Sequence, residues 1–304
     1  MRVDPYYVNN LVTSLDNVTG SVDQLTSEMS SGVRVTSLSA DPAAAGENVV
    51  LLNEMQRDDS FTTTASSVTC QLQVADSALG SVVTELTSAI SKATSANNGT
   101  MNSSNVKTVA TEISGILNEV LSLANTTYEG SYIFGGTDST TTPFTQTAAT
   151  SSSSGTTTYN GDDNVNYLET PTGQKIQLNV SGSDIFLGSG TNSVFAALNS
   201  LVSDYSSGTV DTTKAVNDTT ALSTALNYVS QQRVTIDNSM TQITAASDSV
   251  TNQETQLTTA QTDLMQADTA TVSTQLSLAE SQQTALEDVI ADVNTASHDL
   301  FSKL

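Results

Sequence analysis

Apolar residues toward the C-terminal end recur alternately four and three positions apart. The first track is Leu222, Leu226, Val229, Arg233, Ile236, Met240, Ile243, Ser247, Val250, Glu254, Leu257, Gln261 and Leu264, apolar with a few polar members. The second is Val272, Leu276, Ala279, Gln283, Leu286, Ile290, Val293, Ser297, Leu300 and Leu304. This spacing draws one narrow apolar seam along a helix, the pattern of a coiled coil rather than of a broad globular face. At about 1.5 Å per residue the first track predicts a helix of about 65 Å, which implies a rod. From Leu264 to Val272 the step is eight residues, where a continuous heptad needs seven. The added residue rotates the seam over 265–271 and marks a boundary there.

The same spacing opens the chain, at Val8, Leu11, Leu15, Val18, Val22, Leu25 and Met29, so the two ends predict matching helices. The first helix stops at Ser30-Ser31-Gly32, and 33–40 reads as an extended connector. Asp41-Pro42 restarts a helix, with Asp as the N-cap and Pro at the first helical position. That helix is strongly patterned at Leu72, Leu79, Val83, Leu86, Ile90 and Ala93 and ends at Asn97-Asn98-Gly99. A third, opening at Ser103 or Ser104, carries Val106, Val109, Ile113, Ile116, Val120 and Leu123 and predicts an antiparallel hairpin partner.

The period breaks at Ser131-Tyr132-Ile133-Phe134-Gly135-Gly136, a strand or turn. The stretch 137–158 is a nearly uncharged Ser/Thr tract, read as loop. Val165, Tyr167 and Glu169 alternate with polar residues, Pro171-Thr172-Gly173 turns, and Ile176, Leu178 and Val180 alternate again, predicting a hairpin. Behind a Thr191-Asn192-Ser193 cap, Val194, Leu198, Leu201 and Tyr205 predict a short helix. The expected fold is mainly α with a β-rich insertion, an elongated discontinuous helical bundle and coiled-coil rod with paired terminal helices and a small distal β domain. The expected domains are a terminal coiled-coil assembly domain (1–40 and 265–304), a helical rod domain (41–137 and 203–264) and an inserted β-rich domain (138–202).

Composition sharpens this picture. Thirty-two acidic against nine basic residues give a net charge of -23. That balance argues against nucleic acid and anionic membrane surfaces, both of which need basic patches. No apolar run reaches the length of a membrane span, and Arg2 is not followed by the apolar stretch of a cleaved secretory signal. Cys70 is the only cysteine, so no intrachain disulfide forms, and its helical setting suggests a small buried thiol.

Candidate chemistry is sparse. His298 is the only histidine, and no zinc motif, P-loop or nucleophile elbow is present. Asp162-Asp163 after Asn160-Gly161 reads as a turn rather than a calcium loop, which needs more oxygen ligands. Gly188-Ser189-Gly190-Thr191 lacks the lysine of a phosphate loop, and Asn125-Thr126-Thr127 is a sequon expected by chance in so Ser/Thr-rich a chain. Catalysis, cofactor and metal are therefore not expected.

Several stretches resemble the flagellin superfamily: Met29-Ser30-Ser31-Gly32 followed by Arg34, Asp41-Pro42-Ala43-Ala44, Asp76-Ser77-Ala78-Leu79, Ala96-Asn97-Asn98-Gly99-Thr100, Ser122-Leu123-Ala124-Asn125, Ala267-Asp268 and Gln282-Gln283-Thr284-Ala285-Leu286. Tyr132-Ile133-Phe134-Gly135-Gly136, Tyr159-Asn160-Gly161-Asp162-Asp163 and Asn179-Val180-Ser181-Gly182 look like its hook–filament junction branch, as does the tail Leu300-Phe301-Ser302-Lys303-Leu304, which lacks a terminal Arg. The resemblance implies a structural adaptor of the bacterial flagellum, exported through the flagellar channel. Its implied partners are copies of itself in a ring, a hook-associated protein on the hook side, flagellin on the filament side and an export chaperone. A filament-forming flagellin and an adhesion module in the insertion are the alternatives. The expected assembly seam is Val8, Leu11, Leu15, Val18, Val22, Leu25, Met29, Val272, Leu276, Leu286, Ile290, Val293, Leu300 and Leu304, ordering against neighbouring subunits.

Overall fold

The computed structural model describes residues 5–39, 41–147, 155–188 and 193–301. Six α-helices account for most of them: α1 (Pro5–Ser31), α2 (Pro42–Asn97), α3 (Ser103–Ala124), α4 (Val194–Ser206), α5 (Thr212–Met265) and α6 (Thr269–Phe301). Six short strands lie between α3 and α4: β1 (Thr127–Tyr128), β2 (Ser131–Tyr132), β3 (Phe144–Thr147), β4 (Thr156–Tyr159), β5 (Tyr167–Glu169) and β6 (Lys175–Gln177). A single π turn, Ser183–Leu187, precedes α4. The chain forms two compact units, a terminal one from 1–57 and 252–304 and a central one from 58–251. No helix among the described residues is long and apolar enough to cross a membrane.

In the central unit, α2 buries Phe61, Ala65, Val68, Leu72, Ala75, Leu79, Val82, Leu86, Ala89, Ala93 and Ala96. Successive members are four or three apart, so the helix contributes a single continuous stripe. α5 answers with Leu222, Val229, Ile236, Ile243 and Val250, each seven residues on, while Leu226 and Met240 between them are half-buried. This is the narrow seam that the apolar spacing predicts. α3 adds Val106, Val109, Ile113, Ile116, Leu117 and Val120 to the same core. It opens at Ser103, as the sequence reading has it, behind Asn102 as N-cap, whose side chain accepts from the Asn105 amide at 2.8 Å.

Two polar links tie these helices at fixed register. Arg233 occupies a seam position and grips Asp76 with two bonds, Nε to Oδ1 at 2.7 Å and Nη2 to Oδ2 at 3.0 Å. Such a forked pair specifies geometry better than a single contact does. Tyr205 of α4 donates to Asn97 Oδ1 at 2.8 Å, and Asn97 Nδ2 donates to Thr219 Oγ1 of α5 at 3.3 Å.

The insertion departs from the sequence reading in two places. Part of the Ser/Thr tract is ordered: β3 pairs antiparallel with β4, Phe144 opposite Tyr159 and Thr147 opposite Thr156. Threonine is β-branched and suits a half-buried strand, and Phe144 anchors the pair in a cluster with Phe186 and Phe195 at centroid distances of 5.2 Å each. Residues 148–154 of that tract lie outside the described set. The predicted hairpin exists as β5 and β6, but Leu168, not Tyr167 or Glu169, faces the core opposite Ile176. A one-residue difference inverts the face because strand side chains alternate.

Candidate assembly site

Two sets of residues marked in the sequence are gathered by the fold into two clusters, one in each unit. The first joins the end of α1 to the break between α5 and α6. α1 ends because Gly32 takes φ +70, its amide still donating to Glu28 O at 2.9 Å. The chain then runs beside 265–267: Arg34 N donates to Met265 O at 2.7 Å, Ala267 N to Gly32 O at 2.9 Å, and Val33 bridges Gln266. The boundary that the eight-residue step marks over 265–271 is a break in the helix, which stops at Met265 and restarts at Thr269.

Arg34 closes this clasp. Its Nη1 donates to Asp41 Oδ2 at 3.0 Å and its Nη2 to Leu264 O at 3.1 Å, capping a carbonyl that α5 leaves without an intrahelical partner. Asp41 caps α2 through the Ala44 amide at 3.0 Å, and that bond, aided by Arg34, holds its carboxyl below the ordinary value. Asp268 caps α6 in the same manner, accepting from Thr271 Oγ1 at 2.8 Å and from the Ala270 amide at 3.0 Å, with its carboxyl lowered first by the Thr271 hydroxyl.

Beyond the clasp, α1 packs along α6. Because the end of α1 meets the start of α6, the two run antiparallel. Val8, Leu11, Leu15, Val18, Val22 and Leu25 are half-buried, as are Leu276, Leu286, Ile290 and Val293, while Val272 is buried. Met29 does not join them: it is exposed, because Glu28 takes the inward position at the clasp. Leu304 and the side chains of Leu300 and His298 lie outside the described residues. A pair of helices covers only one side of each seam, and this pair leaves most of its apolar residues partly open. Thirteen large apolar side chains are exposed among the described residues, and ten of them belong to the terminal unit, including Tyr6, Leu38, Val49, Val50 and Leu278.

The second cluster gathers the three stretches between α3 and α4 that carry the finer resemblance. Gly135 O accepts from Asp162 N at 3.1 Å, Phe134 O from Gly182 N at 3.1 Å, and Tyr159 OH donates to Asp162 O at 2.8 Å. The backbones lie so close that a Cβ on Gly136 would meet Asp162 O at 2.1 Å and one on Gly182 would meet Phe134 O at 2.4 Å. Asp162 accepts from Thr137 N at 2.7 Å, from Thr137 Oγ1, and from Asn164 N at 3.1 Å. Asp163 accepts from Ser181 Oγ at 2.9 Å and from Ser183 Oγ. Both carboxylates are thus engaged in turn bonds rather than arranged as ligands, and the described residues hold no group of three or more metal-ligating side chains.

Thr137, through its hydroxyl and then its amide, lowers the Asp162 carboxyl from 3.8 to about 2. A depressed carboxyl stabilises the fold above its unfolded value, and that contribution is lost as pH falls through the folded value. The knot is therefore expected to stay closed through the pH range in which exposed aspartates protonate and to loosen only near the Asp162 value of about 2. The amide proton shift of Thr137 against pH measures this. A midpoint near the ordinary aspartate value contradicts it.

Asn125, just beyond α3, works as a substitute strand. Its Nδ2 donates to Phe144 O at 2.9 Å and its Oδ1 accepts from Phe144 N at 2.9 Å. Replacing Asn125 by Ala strands both groups, half-shielded beside a buried ring, and is expected to cost about 1–3 kcal/mol in denaturant unfolding. The bonds also occupy the amide that the Asn125-Thr126-Thr127 sequon would offer.

Cys70 corrects the sequence reading: the thiol is exposed. The α2 seam runs through Val68 and Leu72, and position 70 falls on the opposite side of the helix. It borders an open groove of about 460 Å³ with Val74, Leu123 and Tyr128.

With this geometry in view, residues 6–139 match the family model of the bacterial flagellin N-terminal helical region. The chain is similar to the flagellar hook-associated protein 3 of Escherichia coli, 36% identical over 120 residues, which is 39% of this chain and 38% of that protein. The corresponding Salmonella typhimurium protein is 34% identical over 124 residues, 40% of this chain and 39% of that one. The matched stretch thus spans well under half of these curated relatives. Among solved structures, flagellar hook-associated protein 3 of Legionella pneumophila shares the fold at TM-score 0.62 and 15% identity, over 71% of this chain and 98% of that one. At those identities the likeness concerns the fold.

Proposed function

We propose that this chain, whose residues 6–139 match the flagellin N-terminal helical region, belongs to the flagellin superfamily and is a structural adaptor of the bacterial flagellum at the hook–filament junction. The observation that carries this reading is the concentration of exposed apolar side chains on the terminal unit, ten of thirteen among the described residues. Unpaired apolar surface of that extent marks an interaction site. In the proposal the α1/α6 pair completes its burial against neighbouring copies, giving a ring, with a hook-associated protein on one side and flagellin on the other. The assembly seam is the residue set from Val8 to Leu25 on α1 together with Val272, Leu276, Leu286, Ile290, Val293, Leu300 and Leu304. Residues 1–40 and 265–304 then form the assembly domain, 41–137 and 203–264 the rod, and 138–202 the insertion. The location that goes with this role is extracellular, reached by export in an unfolded state with the help of a chaperone. The role is mechanical rather than catalytic.

The alternative of a filament-forming flagellin makes a different statement about self-association. Purified protein observed by electron microscopy is expected to remain monomeric or to form short closed assemblies. Long filaments grown from this chain alone would favour the flagellin reading.

A further inference from the structure

Asp204 on α4 and Asp218 on α5 form a carboxyl pair that neither the helix seams nor the assembly reading uses. The Asp204 side chain is only 9% exposed. Its Oδ1 is taken by Lys214 Nζ, but its Oδ2 is buried and receives no hydrogen bond from any N–H or O–H. Ser200 and Asp204 stand one turn apart on α4, as do Lys214 and Asp218 on α5, so the Lys214–Asp204 bond and the bond from Ser200 Oγ to Asp218 Oδ2 at 2.7 Å bring the two carboxyls to one junction between the helices. Two carboxylates are acceptors only, so they attract each other only when one carries a proton.

We propose that Asp204 and Asp218 share one proton in the folded chain, Asp218 donating to the otherwise unpaired Asp204 Oδ2, and that this bond is a protonation-dependent latch fastening α4 to the start of α5. The step is a simple proton uptake from solvent. With the proton present, both oxygens of Asp204 are satisfied, one by Lys214 and one by Asp218. Without it, two negative charges face each other with only Lys214 to offset them.

The surroundings support this assignment. Burial, followed by the neighbouring Asp204, pushes the Asp218 carboxyl above its ordinary value. The charged and titratable groups around the pair make contacts of their own. Asp211 caps α5, accepting from Thr213 N at 3.1 Å and Lys214 N at 3.2 Å. Lys214 is raised, first by its bond to Asp204. Tyr205 on α4 donates toward α2 at Asn97, and burial pushes its hydroxyl up to about 12. From α3, Lys107 passes beside Gly208 at the end of α4.

A raised folded value means that the folded state binds the proton more tightly than the unfolded chain. The penalty of the ionised pair is full above the folded value and is relieved as pH falls through it. Asp218→Asn mimics the protonated form: neutral, with an N–H to donate to Asp204 and an oxygen to accept from Ser200. Thermal unfolding of full-length protein compares the two across the acidic to neutral range. The variant is expected to melt about 3 °C above the parent near pH 8, with the difference vanishing near pH 4. A difference that is constant with pH, or of the opposite sign, overturns the proposal. Carboxyl carbon shifts of aspartate-labelled unmodified protein provide a readout that needs no variant. Asp218 is expected to titrate well above an exposed aspartate, and Asp218 titrating in the ordinary range also overturns the proposal.

Discussion

Gly136→Ala is expected to lower the stability of the central unit by about 3 kcal/mol or more, the sum of a left-handed backbone forced on alanine and a hard contact. Gly136 has φ +74, and the added methyl would lie 2.1 Å from Asp162 O and 2.2 Å from Asp162 Oδ1. The first is a backbone atom, and the second is held by the Thr137 and Asn164 amides. Asp162 is bonded to Thr137 and Asn164 through its side chain and to Gly135 through its amide, so it cannot retreat without opening the knot. Gly130→Ala is the control: φ is +82 there, yet nothing lies within 4 Å of the new methyl. Only the backbone strain remains, about 1–2 kcal/mol. Denaturant unfolding of both variants separates the terms. Equal losses would mean that the contact with Asp162 is not a constraint.

Leu79→Ala should be comparably costly, about 2–5 kcal/mol, because a fully buried leucine is replaced by a cavity between helices that cannot close on it. Leu79 is 0% exposed and lies in the middle of the α2 stripe, three residues after the Asp76 that Arg233 grips. The forked Arg233–Asp76 pair fixes the register of α5 beside the site, which limits how far the helices can slide to fill the void. The exposed Cys70 on the same helix provides the contrast, since Cys70→Ser is expected to change stability by no more than about 0.5 kcal/mol. A Leu79→Ala loss as small as that of Cys70→Ser would contradict the seam as the source of the central unit's stability.

The helical part of this architecture is legible because a heptad repeats its signal many times. Leu222, Val229, Ile236, Ile243 and Val250 say the same thing five times over, so one polar intruder such as Arg233 does not obscure it. The end of α1 at Gly32 and the start of α2 at Asp41-Pro42 are legible for a different reason: each is a local rule about backbone groups at helix ends. What the residues conceal is non-local. Phe144 looks like a lone aromatic in a threonine tract until Tyr159 and the Asn125 amide are brought beside it. Tyr167 looks like the inward member of its strand until the pairing of Leu168 with Ile176 sets the face. The stretches that carried the family resemblance proved to be structural in character. Gly135, Gly136, Asp162 and Gly182 hold one another, while Arg34, Asp41 and Asp268 hold the clasp. The gap at 266–268 showed in the sequence as a skip, but the bridge to Val33 that fills it comes from more than two hundred residues away and left no local mark.

The two clusters divide the labour in the proposed adaptor. The knot of the insertion is closed within its own chain, whereas the clasp sets the directions of two helices whose seams are half covered. Hydrogen exchange on isolated protein would report that difference directly, with slow exchange in the central unit and faster exchange along α1 and α6. The central claim, that this chain joins hook to filament, is tested most directly by deleting it in its source organism. The account predicts cells that build hooks, lack filaments and shed flagellin monomers into the medium, with full-length protein restoring the filaments. Normal filaments on cells lacking this chain would contradict it.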